Sequence, residues 1–330
     1  MSAKISDRDL RLQTLKLKDP YDQPGLVWKI GSEVRLVDII NLYSYERWPA
    51  EKAFCVHCGA HRHRRGFTAL LSDGRRVLLG SRCGAILFGE SWVHAERRLE
   101  QRSDRQWNLR RLDRLKLVIE PMRTALLSWE GKLEVMMARR NAFYGIVGEL
   151  ASRLEEAANA HDGYLTVERK VVTRLAHAGG MKGSRHQSDY VTVKVGTLDG
   201  AALFRHFDPV AAVRRTITAL DEAQKSIVPE TDVIPDSLLR RRRLAFERTF
   251  DDLFRAAEMY SAAQEFFTPP SFERVAAWTT KHAVTRTRYI WADGVLANED
   301  NGRGVSPPAV PLPDLDQSLL ELVTEYRSAD

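Results

Sequence analysis

The chain has 330 residues, of which 44% are hydrophobic, and it carries a formal net charge of +6. This length allows two or three domains or one large one, and this hydrophobic content can fill a buried core. No stretch approaches the roughly 18 consecutive apolar residues of a membrane span, and charged residues occupy the N-terminal positions where a signal peptide has an apolar run. We therefore expect a globular, cytoplasmic protein without a membrane segment.

Arginine outnumbers lysine by about three to one along the chain. The planar guanidinium, with its fork of donors, suits phosphate and carboxylate groups better than an ammonium does. A GC-rich genome would raise the arginine content equally well, and net charge indicates a protein's partners only weakly. The composition alone therefore leaves open whether these arginines form a phosphate-binding surface.

The first predicted elements are short. Residues 1–19 fit a helix that Ser6 is suited to cap. Apolar runs at 26–30 and 34–40 fit either two strands or a strand and a short helix. Both runs would pack against the motif that follows them.

The three cysteines form one compact motif. Cys55 and Cys58 make a C-x2-C-G turn, in which the glycine lets the backbone bend around two converging thiols. Cys83 follows in a second turn bounded by glycines, and the apolar arms around Asp73-Gly74 predict a β-hairpin that brings the two turns to the same end. Three buried thiols without a metal are the simpler alternative, but two such turns joined by a hairpin are more specific. We therefore predict one structural Zn²⁺ ion.

The residues around the cysteines supply the rest of the predicted site. Structural zinc is almost always tetrahedral, so a fourth ligand is needed. His57 lies inside the first turn, where its side chain points away from the ion, whereas His61 and His63 begin the outgoing arm, which leads toward the second turn. We predict His63, or else His61, as the fourth ligand, and we expect Trp28 and Trp48 to form a small core under the motif.

The order C-x2-C-G, β-hairpin, and L-G-x-x-C-G entering a helix resembles a zinc-ribbon or treble-clef finger, over residues 52–92. A treble clef usually takes its last two ligands from the first turn of the helix. Here Cys83 matches the first of these, but Ile86 stands at the second, which directs attention to the histidines. The motif is similar to knuckles in uncharacterised bacterial, phage and mobile-element proteins, so the resemblance implies an accessory factor of such a system.

From Glu90 to about residue 160 the pattern is helical, with an interruption at Glu120-Pro121, where proline fits the first turn of a new helix. This predicts two long helices. An antiparallel helical hairpin and a coiled-coil dimer would both bury the apolar heptad stripe of the second helix. That stripe, broken only by Arg140, comprises Met122, Leu126, Trp129, Leu133, Met136, Phe143, Val147, Leu150 and Leu154.

The rest of the chain alternates between short strands and helices. Alternating runs at 164–167 and 190–195 predict a small β insert around a Gly-rich basic loop at 178–186. The other predicted features are a helix from Asp208-Pro209, a long helix from Asp236 to about Phe267, a hairpin about Asp293-Gly294, and a terminal helix after a Gly/Pro linker at 301–313.

These elements predict a mainly α protein with small β elements, which is an α+β fold. We expect four segments in chain order. They are an N-terminal domain at 1–90 with its finger at 52–92, a long helical hairpin at 91–160, a helical domain with a small β insert at 161–300, and a Pro-rich linker with a terminal helix at 301–330.

Arginines cluster around the cysteine motif, where Asp73 is the only acidic residue between positions 54 and 89. The apolar face of the following helix continues toward its N-terminus as a basic stripe, and a second cluster opens the helix that Asp236 caps. A solvated helix with interspersed acids explains the helical arginines equally well. The predicted nucleic-acid-binding residues are Arg62, Arg64, Arg65, Arg75, Arg76, Arg82, Arg98, Arg102, Arg105, Arg240, Arg241, Arg242 and Arg243.

The leading hypothesis is a zinc-stabilised protein that binds the phosphate backbone of DNA or RNA through the finger and the adjoining helix. The alternative is a protein-interaction or adaptor module, in which the heptad helices pair with a partner or with another copy and the zinc is purely structural. An enzyme ranks third, because no set of acid, base and nucleophile can be assembled from the sequence.

Overall fold

The computed structural model describes residues 5–31, 33–44, 53–174, 186–227 and 234–328, with the backbone alone at 61–63, 173–174 and 186–187. The fold is α+β, as predicted. Its elements are α1 (Asp7–Leu12), β1 (Lys16–Leu17), β2 (Leu36–Ser44), β3 (Ala53–Phe54), β4 (His61–His63), β5 (Arg65–Leu71), β6 (Arg76–Leu79), α2 (Ser81–Phe88), α3 (Glu90–Val147), α4 (Glu149–Ala160), β7 (Tyr164–Arg174), β8 (His186–Thr197), a 3-10 turn (Ala201–Phe204), α5 (Pro209–Gln224), α6 (Asp236–Glu247), α7 (Phe250–Phe266), α8 (Pro269–His282), β9 (Tyr289–Ala292), β10 (Val295–Asn298), β11 (Gly304–Val305) and α9 (Ser318–Ser328).

The chain divides into two compact units, each built from two segments. Unit 1 comprises residues 1–116 and 225–243, and unit 2 comprises 117–224 and 244–330. Of the three division points, those after residues 116 and 243 fall inside α3 and α6, and the one after residue 224 falls at the end of α5. The four-segment division expected from sequence stays a prediction. Among the described helices, none combines the length and the apolar content that crossing a bilayer requires.

Unit 1 is organised around a four-stranded sheet with the order β1-β2-β5-β6. The predicted hairpin is confirmed, because β5 and β6 pair antiparallel from Phe67↔Leu79 to Leu70↔Arg76. The N-terminal cap is confirmed as well, because the Asp9 amide donates to Ser6 Oγ at 3.1 Å. The hydrophobic core lies between this sheet and the helices, and its buried residues include Ile39, Leu71, Val77, Trp92, Leu109 and Leu239.

Trp92, near the start of α3, has no solvent exposure and locks α2 against the sheet. Its ring meets Phe67 of β5 edge-on, with centroids 5.8 Å apart, and stacks on Phe88 of α2 at 6.3 Å. Gly84 of α2 lies directly under the indole, where a Cβ atom would overlap the ring. Only glycine therefore allows α2 to approach α3 this closely.

The predicted break at Glu120-Pro121 is wrong, because α3 continues through Pro121. Proline removes one backbone hydrogen bond, which here would have joined its amide to the carbonyl of Leu117. Leu117 is 79% exposed, so water can satisfy that carbonyl and the helix tolerates the proline. The helix ends instead before Gly148, whose φ of 49° falls in the left-handed region.

The single helix predicted from Asp236 to Phe267 is also wrong, because it is divided into α6 and α7. At the break, the Thr249 amide and the Thr249 hydroxyl both donate to the carbonyl of Phe246, at 3.0 and 2.7 Å. Both bonds span three residues instead of the four of a regular α-helix, so they form a tighter turn. The Thr249 hydroxyl also competes with backbone amides for the carbonyl of Phe246. A threonine at this position therefore ends one helix and begins the next.

Unit 2 buries the heptad stripe within the chain. All nine apolar stripe residues, from Met122 to Leu154, are at most 1% exposed. Phe143 lies among aromatic rings of other unit 2 elements, with centroids 5.2 Å from Phe266 and 5.7 Å from Phe272. Arg140, which interrupts the stripe, donates to the carbonyl of Leu203 at 3.3 Å.

The hairpin predicted about Asp293-Gly294 is confirmed, and the predicted small β insert consists of two antiparallel strands. β7 and β8 pair antiparallel over their whole length, from Tyr164↔Thr197 to Arg174↔His186. β9 and β10 pair about Asp293-Gly294, both of which have positive φ, as a two-residue hairpin turn of this type requires. The Gly-rich loop predicted at 178–186 lies outside the described residues, apart from the backbone of His186.

The packing of Trp92 on Gly84 gives a stability prediction. Gly84→Ala forces the new methyl group into the indole, so we expect the free energy of unfolding to fall by about 1–3 kcal/mol. Gly131→Ala is the matched control, since Gly131 is also helical but has open space around its Cα. The control is expected to leave stability unchanged or to raise it by up to about 1 kcal/mol. Equal urea unfolding curves for the two variants would contradict the packing argument.

Candidate metal centre

The first cysteine turn is built by local backbone hydrogen bonds. The Cys55 amide donates to the carbonyl of Ala60 at 3.1 Å, and the Gly59 amide donates to the carbonyl of Cys55 at 2.9 Å. Gly59 has a φ of 64°, a conformation that glycine adopts without strain. The turn thus folds the chain back on itself between β3 and β4 and brings the Sγ atoms of Cys55 and Cys58 close together.

The second turn is brought to the first by the hairpin. The Val56 amide donates to the carbonyl of Leu78 at 3.1 Å, which ties the cysteine turn to the end of β6. Two residues after Leu78, Gly80 caps α2, and Cys83 lies in the first turn of that helix. The hairpin and this hydrogen bond therefore bring Cys83 close to Cys55 and Cys58, although Cys83 is distant from them in sequence.

The Sγ atoms of Cys55, Cys58 and Cys83 all lie within 4.8 Å of one another. All three thiols are free, with Cys55 buried, Cys83 half-buried and Cys58 exposed. Thiolates bound to tetrahedral zinc at 2.3 Å lie about 3.8 Å apart, so small side-chain adjustments would close the cluster around an ion. These three side chains could hold a metal ion.

The thiols of this cluster differ in acidity. A hydrogen bond from the backbone of Ala60 lowers the pKa of Cys58. Burial, together with the neighbouring Cys55 and Cys58, raises the pKa of Cys83 to about 12. Because three adjacent thiols cannot all ionise without a compensating charge, a cation at their centre would favour all three thiolates.

The predicted fourth ligands lie on β4, directly after the first turn. β4 pairs with β3, with Phe54 opposite His61 and Ala53 opposite His63. The side chains of both histidines are outside the described part of the structure. Ile86, which occupies the second helical ligand position of a treble clef, is 63% exposed and contributes no donor atom.

The basic stripe of α3 has internal acidic partners. Arg98 and Arg102 bind Asp38 of β2 at 3.1 and 3.0 Å, and Arg102 also donates to the carbonyl of Ile39. Arg105 binds Asp7 of α1 and Asp236 of α6. The structure thus uses these three predicted nucleic-acid-binding arginines to join α3 to other elements of unit 1.

The basic cluster of α6 splits into exposed and buried members. Arg240 and Arg241 are exposed. Arg242 donates to Ser226 at 3.0 Å, and Arg243 is buried, donating to Asn108 at 2.9 Å. The guanidinium of Arg243 also lies 4.0 Å from the centroid of the Trp107 ring. Arg242 and Arg243 therefore contribute to the packing of unit 1.

The arginines of the hairpin and of α2 are more accessible. Arg65 and Arg82 are exposed, and neither forms an ion pair with an acidic residue in the part of the chain that is described. Arg75 forms an ion pair with Asp73 of the same turn, with a nitrogen–oxygen distance of 2.5 Å. Arg64 and Arg76 are half-buried, and the side chain of Arg62 is outside the description. An exposed cationic surface therefore remains beside the thiol cluster.

The aromatic residues near the motif differ from expectation. Trp28 was predicted to be a core residue, but it is 50% exposed and contacts the rings of Tyr21 and Phe54. Trp48, the other predicted core aromatic, lies outside the described residues. Trp28 lies in the apolar run 26–30, but this run forms no regular strand or helix, so its pattern did not indicate which side chains are buried.

Comparison of the chain with family models, with curated proteins and with solved structures gave no significant match.

The ion pairs of Arg105 generate a prediction. Asp7 is 3% exposed, so Arg105→Ala leaves its carboxylate buried without the guanidinium, and we expect a loss of about 3–5 kcal/mol in unfolding free energy. Arg97→Ala, which removes an exposed arginine of the same helix, should change stability by less than about 0.5 kcal/mol. Chemical denaturation measures both, and an Arg105→Ala protein as stable as the control would refute the structural role.

Proposed function

We propose that this chain is a zinc-stabilised nucleic-acid-binding protein, in which a finger resembling a treble clef presents arginines to the phosphate backbone. One observation carries the proposal: three converging thiols organise a scaffold whose exposed arginines, Arg65 and Arg82, have no acidic partner among the described residues. An accessory role in a bacterial, phage or mobile-element system follows only from the resemblance of the knuckle.

Zinc is the metal that best fits the donor set. Three thiolates are soft ligands, and a thiolate-rich tetrahedral site favours zinc over harder cations such as magnesium or calcium. With His63 or His61 as the fourth ligand, the site would be a closed Cys3His centre, which is typical of a structural ion. Cys55 belongs to the hydrophobic core of unit 1, so the ion would stabilise the fold directly.

The charge distribution supports nucleic acid as the partner. The arginines on the inner face of α3 are neutralised by Asp7, Asp38 and Asp236, whereas Arg65 and Arg82 of the finger are exposed. Exposed arginines without acidic neighbours attract phosphate and release counterions when it binds. The proposed contact surface therefore consists of Arg65 and Arg82 of the finger, together with Arg240 and Arg241 of α6.

The zinc proposal predicts the metal content of the protein. Purified protein should hold about one zinc ion per chain by elemental analysis, and Cys83→Ser should lose it. Free zinc at 100 times the dissociation constant stabilises a folded protein by about 2.7 kcal/mol, so chelation should lower the melting temperature measurably. His94→Ala, an exposed histidine on α3, is the control that should retain the ion. Metal-free protein with an unchanged melting temperature would rule out the structural ion.

The fourth ligand can be assigned by parallel substitutions. Either His63→Ala or His61→Ala should weaken zinc affinity strongly, while the other and His57→Ala should not. Competition with a chromogenic chelator measures the three affinities. If all three variants bind zinc like the unchanged protein, neither histidine is the ligand.

The nucleic-acid proposal predicts salt-dependent binding. Affinity for a mixed-sequence oligonucleotide should fall steeply with salt, and the double variant Arg65→Glu/Arg82→Glu should reduce the slope of log affinity against log salt by about 2. Arg303→Glu, an exposed arginine of unit 2, is the control for a change in charge alone. Fluorescence anisotropy at several salt concentrations makes the measurement. The proposal would be contradicted if the affinity did not change with salt concentration and were the same in the double variant.

A further inference from the structure

An exposed aromatic cluster lies next to the thiol site in unit 1. We call Tyr21, Trp28 and Phe54 the aromatic platform. The ring centroids of Tyr21 and Trp28 are 5.7 Å apart, and those of Trp28 and Phe54 are 5.6 Å apart. Trp28 is 50% exposed and Tyr21 is 36% exposed, so part of each ring faces solvent. The contacts of Trp28 with the rings of Tyr21 and Phe54 support the exposed indole.

The platform is held in place by backbone hydrogen bonds on both sides. The Phe54 amide donates to the hydroxyl of Tyr21 at 3.0 Å, and the Tyr21 amide donates to Asp19 at 2.8 Å. The segment that carries Trp28 is fixed to β6, because the Val27 amide donates to the carbonyl of Arg76 at 2.9 Å. A preorganised aromatic surface loses little entropy when a ligand covers it.

The metal site links the platform to Arg82 of α2. Phe54 immediately precedes Cys55, whose Sγ atom lies within 4.8 Å of that of Cys83, and Cys83 immediately follows the exposed Arg82. On the other side, Arg76 lies beside the Trp28 segment, since its amide donates to the carbonyl of Gly25 at 2.8 Å. Aromatic and cationic groups are thus combined within one small region of unit 1.

We propose that the platform stacks an unpaired nucleobase, so that the finger recognises single-stranded nucleic acid. This inference rests on the proposed nucleic-acid function and specifies its substrate. Each base has a π face that an aromatic side chain can cover, whereas in a duplex that face is already covered by neighbouring base pairs. The arginines beside the platform suit the phosphates that flank such a base, which favours nucleic acid over an uncharged apolar partner.

The test compares a labelled single strand with the duplex of the same sequence by fluorescence anisotropy. Base stacking on an aromatic side chain is worth about 1–3 kcal/mol, so Trp28→Ala should weaken single-strand binding roughly 5- to 150-fold and leave duplex binding nearly unchanged. Tyr190→Ala is the matched control, because Tyr190 is a 68% exposed aromatic residue of unit 2. It should bind both forms as the unchanged protein does.

A second variant separates stacking from folding. Trp28→Leu keeps an apolar side chain against Tyr21 and Phe54 but offers no π face, so it should show a similar loss of single-strand affinity with an unchanged melting temperature. Trp28→Phe, which retains a ring, should restore most of the affinity. If Trp28→Leu binds a single strand like the unchanged protein, or if single-strand and duplex affinities fall equally, the stacking inference is overturned.

Failure of this inference is distinguishable from failure of the proposed function. Loss of binding in Arg65→Glu/Arg82→Glu together with normal single-strand binding in Trp28→Leu would overturn the platform and leave the nucleic-acid proposal standing. Absence of binding to either form of nucleic acid by the unchanged protein would overturn both.

Discussion

The burial of Trp92 against Gly84 is the constraint on which unit 1 depends. The indole fills the space that a side chain at Gly84 would occupy, and its Nε1 atom donates to Glu96 at 3.1 Å. The hydroxyl of Ser81, at the start of α2, donates to the same carboxylate at 3.0 Å. These contacts fix α2 on α3 and thereby fix Cys83, one of the three thiols. The candidate metal site is consequently an extension of the core rather than an independent finger.

Arginine serves two different purposes in unit 1, and burial distinguishes them. Arg105 joins helices that lie 98 and 131 residues away in sequence, by binding Asp7 and Asp236. Desolvating these charges is costly, and the geometry of the guanidinium makes the pairing specific. Arg65 and Arg82, in contrast, are exposed and have no acidic partner among the described residues. A cluster of arginines in a sequence is therefore informative about ligands only after its internal acidic partners have been identified.

The features that the sequence predicted are local ones. The cysteine turns, the hairpin about Asp73-Gly74 and the turn at Asp293-Gly294 depend on residues a few positions apart, and the structure contains the hairpins as expected. The errors arose where distant context decides. Pro121 is tolerated because Leu117, whose carbonyl loses its helical partner, is exposed, and Asp38 could not be assigned to Arg98 from a separation of 60 residues. The exposure of Trp28 was similarly beyond prediction, because a lone aromatic residue carries no signal of its surroundings.

The part of α3 that lies in unit 2 buries its heptad stripe inside that unit, with Trp129 donating to the carbonyl of Asp316 at 3.0 Å. Its exposed large apolar residues in unit 2 are Leu117, Leu127 and Val135, the first and last of which share a face but lie about 27 Å apart along the axis. A coiled-coil seam needs an apolar residue about every 3.5 positions, so these three cannot form one. An adaptor that uses the unit 2 part of this helix would need a different type of contact.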